Sequence, residues 1–161
     1  MIYLRRVSDD VKNEAEVLAW ALEVGAASVG DVVAWADAII EAEEHPHWSV
    51  CELATMGARD EREVASALRE VPGVVDERWV RDELPRRLAR ALAEDPWRAD
   101  RIAQRLYMLA MEGALPEGEL RSLALWSWDA LDLAEQRITQ ETREDVIAAM
   151  VAALHDALPR R

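Results

Sequence analysis

Residues 28–47 read SVGDVVAWADAIIEAEEHPH, and this stretch decides the fold class. Val32, Trp35, Ala36, Ile39 and Ile40 recur at spacings of three and four, the period of one buried helix face. Ser28, three residues before Asp31, is the pattern of a capping box, in which the two side chains satisfy the free N–H groups of a helix start. Pro46 biases the residue before it away from helical conformation, so this helix is predicted to stop near His45.

The same grammar extends in both directions. Upstream, Glu14 to Glu23 place Val17, Leu18, Ala21 and Leu22 on one stripe, with Gly25 as the C-cap. Downstream, Trp48 to Met56 form a short helix before Gly57. Asp60 caps the next, with Glu63 reciprocating and Val64, Ala67, Leu68 and Val71 facing inward. Pro72 and Gly73 break the chain. Residues Glu77 to Glu94 are rich in helix formers, but Pro85 falls among them, and a proline costs about 3 kcal/mol inside a helix. Two short helices, or one kinked helix broken before Pro85, are therefore predicted. Asp95 caps a helix with Pro96 at its first position and an inner stripe of Ile102, Leu106, Leu109 and Ala110, ending near Gly113. A further helix runs from Pro116 to Ile138, with Glu117 and Glu119 at its positive end and Leu120, Leu123, Ala124, Ser127, Leu131 and Ala134 on one side. Thr142, with Asp145 three residues on, caps the last, which buries Val146, Ile147, Met150, Val151 and Leu154 and ends at Pro159. Strand-like alternation is confined to Met1–Leu4 and Val74–Val80.

The expectation is an all-α fold: stacked antiparallel αα-hairpins of about seven or eight helices in one domain over residues 1–161, with lobes, if any, parting at 94/95. An offset of 88 pairs Gly25 with Gly113, Ala26 with Ala114, Gly30 with Gly118 and Asp31 with Glu119. Internal duplication of a hairpin explains this, as does the shared capping chemistry of two alanine-rich helix junctions.

Composition bounds the function. The 161 residues are 51% hydrophobic, enough for a core. Lys plus Arg number 19 against 32 Asp plus Glu, a net charge of -13, opposite in sign to what a generic nucleic-acid binder needs. The imbalance is concentrated in residues 1–80, which carry seven basic and seventeen acidic side chains. Such a surface steers a basic partner by long-range attraction, or simply keeps a molecule soluble. The single Cys51 excludes an intrachain disulfide framework and a Cys-rich zinc module. Without a signal-like apolar run at the N-terminus or any stretch approaching eighteen apolar residues, the expectation is a soluble cytoplasmic protein that meets no membrane.

Chemistry-bearing residues are densest at Asp37–His47. Asp37, Glu41 and His45 are four apart and so are placed on one helix side, with Glu43, Glu44 and His47 beside them. Carboxylates and imidazoles together suit zinc, iron or manganese. A metal-dependent enzyme would need a second cluster, such as Asp129, Asp132 and Glu135. The chain has neither the Glu-x-x-His repeats of di-metal bundles nor a His-Glu-x-x-His motif, so no metal or other cofactor is assigned. The acidic pairs Glu41/Glu44 and Glu141/Glu144/Asp145 fall short of the magnesium motif of helical nucleotide pyrophosphohydrolases. His47 lies four residues before Cys51, the one spacing that would bring a base to a thiol, but Cys51 is read as a core residue. No phosphate-binding glycine loop is present, and no catalytic residue is assigned.

Seven tryptophans stand where phenylalanine is absent. Trp20 and Trp35 are placed in the core. Trp126 and Trp128, two apart, do not share one helix face. Trp48 and Trp97, at helix starts, either cover the ends of the core or stand out as interface anchors.

Val32, Val33, Trp35, Ala36, Asp37, Ile40, Pro46, Trp48, Glu52 and Leu53 carry a resemblance, over about thirty residues, to small bacterial all-helical proteins, some of them immunity-like proteins of toxin systems. The resemblance implies a protein without chemistry of its own that neutralises a toxin by binding it. Together these features lead to a non-enzymatic acidic binding module. Its partner is another protein of basic character, a toxin or nuclease in the immunity-like form. Asp37, Glu41, Glu43, Glu44, His45, His47 and Trp48 are the candidate partner-binding residues. The alternatives are the carboxylate–histidine metal enzyme and a structural subunit whose tryptophans bury in a homodimer; the chain itself is expected to be a monomer or a homodimer.

Overall fold

The computed structural model describes residues 9–115 and 118–158. Among them the protein is all-α, with eight α-helices and no strand. The helices are α1 (Asp9–Glu23), α2 (Val29–Ala42), α3 (Trp48–Ala54), α4 (Glu61–Glu70), α5 (Glu77–Glu94), α6 (Ala99–Met111), α7 (Glu119–Glu135) and α8 (Arg143–Asp156). None is long and apolar enough to cross a membrane. Met1–Leu4, Pro116, Glu117 and Pro159 lie outside the described residues, while Val74–Val80 is a short link running into α5.

The chain divides into two compact units, residues 1–23 with 27–81 and residues 24–26 with 82–161, so the division falls inside α5 and not at 94/95. In the first unit the stripes read from sequence close a core of Leu18, Leu22, Val32, Ala36, Val50, Leu53, Val64 and Leu68. Each fully buried leucine contributes about 1.5–3 kcal/mol relative to an exposed one. Ala65 is buried where Ala67 was expected, and Ala67 packs at its edge. The principal partner of α1 is α4, not the helix that follows it. Trp20 and Trp35 are half-buried at the margin and do not sit in the centre.

Polar groups lock α1 to α4. Lys12 Nζ donates to the Arg69 carbonyl at 2.7 Å, and Arg69 Nη2 donates to Glu23 Oε2 at 2.8 Å. Glu16 lies 3.5 Å from Arg69 Nε, and the guanidinium sits over the Trp20 ring at 5.4 Å. The hydrogen bond to Glu23 holds the Arg69 pKa above its already high ordinary value, against desolvation. Asn13 Oδ1 accepts from the Asp76 N–H at 2.7 Å and pins the link after α4 to α1.

In the second unit α7 packs against both α6 and α8, burying Ile102, Leu106, Leu123, Leu131, Met150 and Leu154. The chain reaches α6 through a single 3-10 turn, Pro96–Arg98, whose first N–H groups are served by Asp95. Arg98 Nη1 donates to the Ala26 carbonyl at 3.0 Å, and Gly25 lies where an added Cβ would meet the Arg101 side chain at 2.8 Å. Gly25 and Gly113 share the left-handed conformation, at φ 80° and 72°. Gly30 and Gly118 differ: the first is helical, the second an N-cap at φ 139°.

Pro85 does not break its helix; α5 runs through it from Glu77 to Glu94. The lost hydrogen bond is offset by burial, because Leu84, Pro85, Leu88, Ala89 and Leu92 are all buried. Such burial recovers on the order of 1.5–3 kcal/mol per large apolar side chain, comparable to the cost of the proline.

Candidate functional site

The sequence-assigned residues lie on the end of α2, the link after it and the start of α3. The capping box at Ser28 and Asp31 forms as expected, Ser28 N–H donating to Asp31 Oδ2 at 2.7 Å. The other end departs from expectation. The helix stops at Ala42, and Glu43 is already extended at φ -107°, ψ 128°. Asp37 and Glu41 therefore share an exposed helical side, but His45 does not continue it. Two adjacent glutamates in what would be the last turn face the negative end of the helix dipole, which disfavours prolonging it.

Asp37, Glu41, Glu43, Glu44 and His45 are all exposed. Among the described residues none of the four carboxylates makes an ion pair, and no three His, Cys, Asp or Glu residues gather as metal ligands. The proposed second cluster, Asp129, Asp132 and Glu135, is exposed along α7, with Asp132 accepting from Gln136 Nε2 at 2.7 Å.

His47 has a specific structural task. It is the N-cap of α3, its Nδ1 accepting from the Ser49 N–H at 3.2 Å and lying 2.8 Å from Ser49 Oγ. That nitrogen is committed to the helix start. Cys51 is a half-buried free thiol and not a core residue. Beside His47, Trp48 is 62% exposed, its ring centroid 5.6 Å from the imidazole. It does not cover the end of the core. Trp97 is likewise 83% exposed.

A groove of about 400 Å³ lies between α3 and α4, lined by Glu52, Met56, Arg59, Glu63, Ala67 and Glu70 among others. This groove is not among the features expected from the sequence. Its signal was there: Trp48 and Glu52 are four apart on α3, and Glu63, Ala67 and Glu70 share a side of α4 by spacings of four and three. What the sequence alone does not give is that α3 and α4 pack together.

No protein-family model, curated protein or solved structure matches the chain.

Proposed function

We propose that this protein is a non-enzymatic binding module that holds a basic protein through the acidic segment Asp37–Trp48. The observation that carries the reading is the charge there: Asp37, Glu41, Glu43 and Glu44 are exposed and, among the described residues, without an ion-pair partner, beside an exposed tryptophan. Carboxylates serving only the fold are used differently in this chain, as Glu23 and Asp100 are, each on an arginine. Charge of this kind speeds encounter with a partner of opposite sign, and a central aromatic supplies affinity once contact is made. An immunity-like inhibitor of a basic toxin or nuclease is the specific form of the proposal that agrees with the resemblance over residues 25–54.

The test is capture of partners from native extract by the full chain and by the triple variant Glu41→Lys, Glu43→Lys, Glu44→Lys, followed by titration of the purified partner. A basic partner should bind the parent, weaken steeply as salt is raised, and fail to bind the triple variant. A partner held equally by both proteins, or indifferent to salt, overturns the acidic-segment reading.

A further inference from the structure

Two tryptophans among the described residues are more than half exposed, and the chain treats them differently. Over Trp97 stands the guanidinium of Arg143, 5.8 Å from the ring centroid and donating to Asp100 Oδ1 at 2.9 Å. The half-buried Trp20 is served alike, by Arg69 paired with Glu23 and Glu16. In both, a tryptophan and a carboxylate three residues on, in the same helical stretch, hold an arginine between ring and charge. Trp48 has a comparable neighbour in Glu52, four residues rather than three along α3, but no arginine of the chain stands over its ring among the described residues.

Beyond Trp48 the groove continues the same chemistry. Among the described residues Glu52 and Glu70 have no ion-pair partner, and Glu63 pairs with the exposed Arg59 at 3.9 Å. Met56 and Ala67 add apolar surface between the acids. An arginine fits this combination better than a lysine: its planar guanidinium stacks on an indole and forks toward carboxylates, and its stem lies on apolar groups.

We infer that Trp48, Glu52 and the α3/α4 groove form a receptor for an arginine side chain presented by the protein partner. The inference rests on the binding-module reading and adds the residue that the partner must supply. The guanidinium stacks on Trp48 and pairs with Glu52, and the flanking chain runs along the groove past Glu63 and Glu70.

The test uses the full chain, isotopically labelled, titrated with nona-arginine and nona-lysine peptides at matched ionic strength. The expected result is movement of the Trp48 indole N–H signal and of the Glu52, Met56, Glu63 and Glu70 amides, with arginine preferred by at least ~3-fold. Trp48→Ala should weaken nona-arginine by ~3- to 10-fold and remove most of the preference over lysine, while Trp48→Leu keeps an apolar surface without the stacking and should also lose the preference. Glu52→Gln with Glu70→Gln should weaken both peptides. Equal affinity for the two peptides, or shifts confined to Asp37–Glu44, overturns the arginine receptor and leaves the acidic-segment reading standing. No binding of either peptide anywhere on the surface overturns both.

Discussion

Lys12, the chain's one lysine, keeps 5% of its surface exposed and spends its charge on the fold. Its Nζ serves the Arg69 carbonyl, one of the last four carbonyls of α4 and so without a partner in its own helix. Lys12→Met keeps the stem and deletes the donor. It should cost about 1–3 kcal/mol, the range for leaving a buried acceptor unsatisfied, read as a lower urea midpoint with an unchanged slope. An unchanged midpoint would mean that solvent serves the carbonyl equally well. Arg137 is the opposite case, a residue the local geometry does not want. It follows α7 at φ 55°, and the N–H groups of Arg137 and Ile138 close on the carbonyls of Ala134 and Leu133 at 3.1 and 3.0 Å. This two-bond closure normally takes glycine at the left-handed position, as α6 does with Gly113. Arg137→Gly should therefore stabilise the protein by about 1 kcal/mol, the left-handed penalty less the entropy of the freer unfolded chain. A loss of stability on that substitution would show that the arginine side chain repays its backbone. At this scale the exposure of Asp37, Glu41, Glu43 and Glu44 was legible from residue type. The exposure of Trp48 was not, because whether a tryptophan at a helix start covers a core depends on a neighbour that no local spacing names.

The helix starts were the most legible elements, because a cap is a contract between residues three apart. Ser28 with Asp31 and Thr142 with Asp145 both form full capping boxes, and Asp60 accepts from the N–H groups of Arg62 and Glu63. Glu63 does not reciprocate as expected; its side chain is turned toward Arg59. The unread features were long-range. Nothing near Pro85 says that its flanks will be buried deeply enough to carry a helix through it, and nothing near Glu23 says that α1 will choose α4. The box at α8 gives a pH prediction with a definite sign. Hydrogen bonds from the Thr142 backbone N–H and hydroxyl hold the Asp145 pKa below its ordinary 3.8. A carboxyl whose folded pKa is depressed stabilises the fold above the unfolded value, and that contribution disappears as pH falls through the folded one. Carbon-13 titration of Asp145 should accordingly give a midpoint below the ordinary aspartate value, and Thr142→Ala should move it back up toward that value. A parent midpoint at or above the ordinary value would mean that the box does not persist in solution.

The whole molecule carries thirteen negative charges in excess, and two electrostatic effects compete over them. Salt weakens the favourable pairs, such as Arg69 with Glu23 and Arg143 with Asp100, but these are close and partly shielded. Salt also relaxes the repulsion among the exposed acids, which is long-ranged and therefore the first to be screened as the Debye length shrinks to about 10 Å near 0.1 M. Repulsion should dominate, so the melting temperature should rise between about 10 and 200 mM sodium chloride, by about 2–4 °C if roughly 1 kcal/mol is relieved. A melting temperature that falls with salt would place the ion pairs first. The triple change Glu41→Lys, Glu43→Lys, Glu44→Lys takes the net charge from -13 to -7 and connects this to the binding proposal. Those three side chains are exposed, and among the described residues none of them makes an ion pair or a side-chain hydrogen bond. If their charge is kept for a partner, the variant should melt higher at low salt, respond less to added salt, and lose the basic partner. A variant that melts lower would instead assign the segment to the stability of the fold and remove the ground for reading it as a docking surface.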